Sequence, residues 1–373
     1  MIYDLAIVGA GPAGAMAAYK AAQLGLKTAL LDAEQFPRHK VCGDAIPYET
    51  YKLLQSIAPH WHQQLLQNSS AQSIRYARIF TPNQKSISIE WYTKAVNQKR
   101  FDFDHWLLQN CLENQNIAFF QNFRVKTIKG HVGAFTLSNG NQNLETRFII
   151  GAGGAHCPVA RQLAQKRTLH HHHCGALRAY YENIEGLQAN TNEIHILKNH
   201  IPGYLWIFPL PNNQANVGFG MLSSAIRKNQ IDLKQAFAQA LQSNELKDRF
   251  QNATLLHKIQ GFDLPLGSAP PNTGGPGYLL AGDAASLIDP LDGHGIGAAM
   301  YAGHLAAQLA AQNLKGEISQ AKMLSQYQQQ LNKKFFKTFK QHHRLLRFAH
   351  YPFLLNLLTY KPLLKLSKLK IHD

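Results

Sequence analysis

The stretch IVGAGPAGAMAAYKAA, Ile7 to Ala22, limits what this chain can fold into more than any other. Residues Tyr3 to Val8 are mostly apolar and read as a short buried parallel strand, after which Gly9, Gly11 and Gly14 fall in G-x-G-x-x-G spacing before an alanine-rich helix. In such a corner the first glycine permits the sharp turn and the second lets backbone approach a pyrophosphate. The third lets helix and strand pack closely, while Ala13 and Pro12 begin a helix whose N–H groups favour an anion. Leu26 to Leu31 reads as the next strand, closed by Asp32, whose carboxylate suits the hydroxyls of an adenosine ribose lacking a 2′-phosphate. A bare glycine turn would say little. Strand, helix, strand and terminal Asp in this order predict a nucleotide site.

A second glycine-bearing corner lies far downstream, in GYLLAGDAASLIDPLDGHGIGAAM, Gly277 to Met300. It reads as strand, turn and small-residue helix. Asp283 at the strand end suits a ribityl hydroxyl, and the N–H groups of Gly295 and Ile296 at the helix start suit the negative edge of a reduced isoalloxazine. Together the two corners predict FAD rather than NAD.

At 373 residues, with 45% hydrophobic and 16% charged, the chain can bury a substantial core, and disorder is not expected to dominate. Four scattered cysteines without a C-x-x-C suggest neither a zinc ribbon nor a disulfide framework, and point to a reducing compartment. The chain starts in a strand and has no run of about 18 uninterrupted apolar residues, so the expected location is cytoplasmic, with peripheral contact at the inner face of the membrane left open. The formal net charge is +16. Residues 331–373 hold eight Lys and two Arg against one acid, Asp373, interleaved with Phe335, Phe336, Phe339, Leu345, Leu346, Phe348, Leu357 and Leu358. Such a basic amphipathic tail either packs on the body with a solvated cationic face or docks on an anionic membrane surface. No nucleic-acid motif accompanies the charge, so nucleic acid is not an expected partner.

Three stretches together resemble the geranylgeranyl reductase family of flavoproteins, a branch of the para-hydroxybenzoate-hydroxylase-like FAD fold. They are FPRHKVCGD (Phe36 to Asp44), PGYLWIFPLPNNQANVGFG (Pro202 to Gly220) and the second corner. The more particular signals are P-x-x-K-x-C-G, here Pro37, Lys40, Cys42 and Gly43, and Y-x-W-x-F-P, here Tyr204, Trp206, Phe208 and Pro209. The resemblance covers nearly the whole chain. It implies an α/β fold: a Rossmann-like FAD-binding domain of the glutathione-reductase and hydroxylase type, an antiparallel β-sheet substrate domain and the basic helical tail. It also implies that FAD meets Arg100, Val125, Cys42 and Gly43, and that Cys42 positions substrate or passes a proton. His294 stands where the family often has Glu, and as an imidazole near the flavin it is expected to titrate close to neutrality. Tyr204, Trp206 and Phe208 line an apolar tunnel for a lipophilic substrate or, on the plainer reading, form sheet core. The chain departs from the family at Gly153, Cys157 and Ala160, where an acid, a serine and an arginine are common.

The expected organisation is a discontinuous FAD-binding domain (1–70, 98–165 and 270–330), a β-sheet substrate domain (71–97 and 166–269) and the tail (331–373). The run His170 to Cys174 is read as a loop or the start of a strand and not as a metal site, because neighbouring extended residues face opposite ways. The expected activity is FAD-dependent reduction of C=C bonds in an isoprenoid-type substrate, with NAD(P)H or a ferredoxin-like carrier as external electron donor. A flavin monooxygenase or halogenase stays open, although the W-x-W-x-I-P halogenase signature is absent. So does a non-catalytic membrane-associated flavoprotein.

Overall fold

A computed structural model describes residues 1–66, 70–198, 201–269, 271–346 and 351–356. Its first strand, Ile2–Val8, is fully buried from Leu5 onward and pairs in parallel with Thr28–Leu31 on one side and Asn143–Gly151 on the other. Burial on both faces explains why these strands are runs of apolar residues without alternation. The second strand starts at Thr28, two residues later than expected, because the Leu26 N–H closes the preceding helix on the Ala21 carbonyl, 3.0 Å away. Among the described residues the sheet runs Gly274–Gly275, Tyr278–Leu280, Asn143–Gly151, Ile2–Val8, Thr28–Leu31, Ile117–Phe120, with the hairpin Thr127–His131 and Ala134–Ser138 attached to Asn143–Gly151. Both glycine corners therefore leave the carboxyl ends of parallel strands at one edge of this layer, where open α/β sheets hold ligands.

Helix Pro12–Gln23 packs against helices Arg100–Leu112 and Ile296–Leu314. The contact with Ile296–Leu314 is close because Gly303 faces the first turn of its neighbour: a Cβ there would lie 1.9 Å from the Ala13 carbonyl oxygen. Small residues thus bring the starts of two helices, distant in sequence, to one place.

The second sheet is antiparallel except where Thr191–His195 runs parallel to Gln72–Phe80. Its order is Thr254–Leu255, His173–Glu182, Gln214–Leu222, Gly203–Leu210, Thr191–His195, Gln72–Phe80, Ser86–Asn97, Ala45–Ile46, with Gln260–Pro265 also on His173–Glu182. The short strand Ala45–Ile46 ties the segment after Cys42 directly to this sheet. Strand alternation splits Gly203–Leu210 in two: Leu205 and Ile207 are fully buried in a core with Phe237 and Val217, so Tyr204, Trp206 and Phe208 share the opposite face.

The first part of the basic tail packs on the body. Leu331, Phe336 and Phe339 are buried in the first core, and His342, on helix Lys337–Leu346, contacts Asp289 through both carboxylate oxygens at 2.7 and 2.8 Å. Residues 347–350 and 357–373, including Phe348, Leu357 and Leu358, lie outside the described residues. Among the described residues no helix is long and apolar enough to cross a membrane. His170–His172 form one helical turn before strand His173–Glu182, and no group of three or more metal-ligating side chains occurs among the described residues.

Candidate active site

A cavity of about 1160 Å³ opens between the two sheets, larger than most small-molecule sites of roughly 300–1,000 Å³ and suited to a dinucleotide with room beside it. Gly9, Gly11, Ala13 and Asp32 line it from the first corner, and Asp283, His294, Gly295 and Ile296 from the second. Cys42, Gly43, Arg100 and Val125 form part of the wall, and Tyr204, Trp206 and Phe208 face it from the second sheet. Of the three glycines in the first corner only Gly14 is set back. It supports the turn from beneath, since a Cβ there would sit 1.7 Å from the Gly9 carbonyl oxygen.

The donors and acceptors suit FAD. Both helices that begin at the cavity, Pro12–Gln23 and Ile296–Leu314, lack a side-chain cap, which leaves first-turn N–H groups for a ligand. Gly9 has φ +108°, and its missing Cβ would collide with the Ala152 carbonyl oxygen at 2.4 Å, so this cradle exists only with glycine. The Asp32 carboxylate accepts from the Ala10 N–H at 2.7 Å and the Glu34 N–H at 3.0 Å, which fixes it at the strand end.

Asp104 organises the cations on this wall. Arg100 donates to it twice, at 2.6 and 2.8 Å, and Arg38 lies 3.1 Å away. Burial works against the Arg100 charge, but the Asp104 carboxylate outweighs it and holds the guanidinium protonated well above its ordinary value.

Asp44, one residue past Gly43, is fully buried at φ +63°. It accepts from the Arg100 N–H at 3.1 Å, and from the Tyr180 hydroxyl and the Asn216 amide at 2.7 Å each. Asn216 also donates to the Cys42 carbonyl at 2.7 Å and accepts from the Trp206 indole N–H at 2.9 Å. The cysteine segment is thereby pinned to the second sheet.

His294 departs from the expectation of a near-neutral titration. Burial pulls its pKa down, but the Asp292 carboxylate 3.0 Å from Nδ1, with Glu49 and Asp289, lifts it to about 9, so the ring is an imidazolium at neutral pH. A histidine raised in the folded state contributes stability that is complete below its unfolded pKa near 6.5 and lost as pH rises through about 9. The melting temperature is therefore expected to fall across that window, and His294→Asn to flatten the profile. Identical wild-type and variant profiles would rule this out.

The profile of the FAD binding domain family matches residues 3–335. The chain is 28% identical to digeranylgeranylglycerophospholipid reductase of Methanococcus vannielii, over all of this chain and 88% of that protein. It is 27% identical to menaquinone reductase of Mycobacterium tuberculosis, over 82% of this chain and 76% of that one. Among solved structures, a geranylgeranyl bacteriochlorophyll reductase-like protein of Thermoplasma acidophilum superposes with TM-score 0.85 at 21% identity, covering 96% of this chain and 90% of the other. A flavin-dependent brominase superposes with TM-score 0.77 at 20% identity, covering 98% and 92%. At these identities the two structures speak for the fold alone.

This chain is a flavoprotein of the geranylgeranyl reductase family. It is an FAD-dependent oxidoreductase. One departure from the family, at Cys157, has a simple physical account. Cys157 is 1% exposed, and its Sγ would sit 3.1 Å from a Cβ at Gly151, so the thiol fills space beneath the turn and burial pushes its pKa up. Lys166, unremarked in the sequence, donates to the Asp283 and Ala284 carbonyls at 3.1 and 2.8 Å, which braces the second corner from behind. Asp44 and Asn216 are further site residues that the sequence motifs do not single out. Only Asp44 carried a signal, its place directly after the Cys-Gly pair.

Proposed function

We propose that the chain reduces C=C bonds of a lipophilic, isoprenoid-type substrate held between the Cys42 segment and the aromatic face of the second sheet. One observation carries this reading. The two most family-specific motifs form a single surface: a Cβ on Gly43 would lie 3.4 Å from the Phe208 ring and 3.5 Å from the Trp206 indole nitrogen. An apolar chain laid along these rings would pass directly by the Cys42 thiol, out of water.

Bound FAD supplies reversible two-electron chemistry. The chain's own residues hold, shield and protonate. Asp32 and the two uncapped helix starts bind, Arg100 presents a fixed cation, the aromatic face excludes water, and Cys42 carries a proton where a carbon acid must be formed. The catalytic roles of Cys42 and His294, and the substrate contacts of Tyr204, Trp206 and Phe208, belong to this proposal. So do the electron donor, NAD(P)H or a ferredoxin-like carrier, and an anionic membrane surface met by the tail. Leu345, Tyr351 and Phe353 are exposed there beside basic residues.

The test is anaerobic. Chemically reduced enzyme mixed with polyprenyl lipids is expected to show substrate-dependent return of the oxidised-flavin absorbance and a product heavier by two hydrogens per bond reduced. Cys42→Ala should keep FAD but slow that return by about 10²-fold or more, the usual loss for a general acid. If no unsaturated lipid reoxidises the wild type, the reading fails. Oxygen incorporated into product under air would instead favour a monooxygenase.

A further inference from the structure

The cavity wall formed by the second sheet holds a cation that makes no ion pair among the described residues. Arg178, on strand His173–Glu182, is 2% exposed and lines the cavity. Its Nε has no hydrogen-bond partner, its Nη2 reaches only the Lys40 carbonyl at 3.4 Å, and its guanidinium carbon lies 4.1 Å from the centre of the Tyr180 ring. Arg38 and Arg100 share Asp104, but among the described residues no carboxylate lies within ion-pair distance of Arg178. The nearby carboxylate of Asp44 is already engaged by the Arg100 N–H, Tyr180 and Asn216.

Lys40 borders the same space. Its ammonium lies 3.3 Å from the centre of the Phe262 ring and donates to the Val41 carbonyl at 3.2 Å, again without an acid in contact among the described residues. Burial lowers its pKa to about 8, against the opposing pull of Asp283. Arg178 acts on the Asp44 carboxylate through space but makes no contact ion pair, and a buried guanidinium left so is unfavourable unless an anion completes the site. A planar fork of donors, with an ammonium lining the same cavity, suits the oxygens of a phosphate.

We propose that Arg178 and Lys40 form an anion subsite that takes the phosphate of a second ligand, bound in the cavity together with FAD. This rests on the reading of the cavity as an FAD site and extends it to what shares the cavity. The phosphate has two sources, the head group of a prenyl lipid or a nicotinamide dinucleotide donor.

The experiment is a calorimetric titration of the FAD-loaded protein with inorganic pyrophosphate, which needs no turnover and is independent of whether the reductase assay succeeds. Wild type is expected to bind, and Arg178→Gln and Lys40→Met each to bind at least tenfold more weakly at unchanged FAD content, with Arg178→Lys in between. Should Arg178→Gln not fold, Lys40→Met carries the measurement. Absence of wild-type binding, or equal affinity in the variants, overturns the subsite. Loss of FAD from Arg178→Gln also overturns it, because the cation then serves the cofactor. Displacement of pyrophosphate by geranylgeranyl monophosphate in micelles but not by NADPH assigns the lipid head group, and the reverse assigns the donor. Displacement by neither also overturns the proposal.

Discussion

Gly303→Ala is expected to weaken FAD binding at least tenfold, although the substitution improves the local helix. Alanine gains about 1 kcal/mol over glycine in a helix interior, whereas forcing a methyl into a packed contact costs about 1–3 kcal/mol. Here the upper end applies, because the obstacle is backbone: the new Cβ would lie 1.9 Å from the Ala13 carbonyl oxygen, which no rotamer change relieves. Helix Ile296–Leu314 must move away from Pro12–Gln23, and with it the N–H groups of Gly295 and Ile296 leave the position set by the first corner. A tenfold loss corresponds to about 1.4 kcal/mol, well within that displacement cost. Fluorescence titration of apoprotein with FAD measures it. Wild-type affinity in Gly303→Ala would show that the two corners do not depend on their mutual packing.

Asp44→Ala is expected to be the most damaging single substitution near the site. It strands three donors at once, the Arg100 N–H, the Tyr180 hydroxyl and the Asn216 amide, in a fully buried place. Each unsatisfied donor costs about 1–3 kcal/mol, and the sum approaches a typical domain stability of about 5–15 kcal/mol. Alanine also resists the φ of +63° that Asp44 adopts. Asp44→Asn tolerates that backbone and keeps one acceptor, so it should remain soluble with a lower melting temperature. Burial raises the Asp44 pKa. The wild type therefore gives up stability as pH climbs from the unfolded carboxylate value of about 4 toward the raised folded one, and its advantage over Asp44→Asn should shrink over that range. Thermal melts of both proteins against pH test this, and an advantage that widens with pH would contradict the buried-acid account.

Both glycine corners were legible in the sequence because their chemistry is local. Gly9, Gly11 and Asp32 are set by one turn and one strand, and Asp283, Gly295 and Ile296 by another. Tyr204, Trp206 and Phe208 were legible for a related reason, since strand alternation alone places them on one face. The Asp44 network was not. Its partners Tyr180 and Asn216 lie 136 and 172 positions away, facing each other across neighbouring strands of the second sheet, which Ala45–Ile46 joins at its edge. Gly303 looked like a weak residue in a good helix, because its neighbour across the contact is not written nearby. Gly218 is similar: a Cβ there would meet the Trp206 ring at 2.0 Å, so a glycine opposite a tryptophan records a register that only topology reveals. The charge state of His294 turned on Asp292, two residues earlier, and on side-chain geometry that spacing does not fix.

The seat of the last helices bears on how the cationic end of the chain can be studied. His342 grips Asp289, in the loop that leads to Gly295, and Phe339 occupies the space above Gly267, where a Cβ would meet its ring at 2.1 Å. A truncation at 331 would therefore strip a prop from the flavin loop and empty part of the interior, confusing any liposome measurement with a folding defect. The informative cut falls after Leu346, where the supporting helix ends. That cut keeps Phe339 and His342, and among the described residues it gives up the bond from the Asn83 N–H to Asn356.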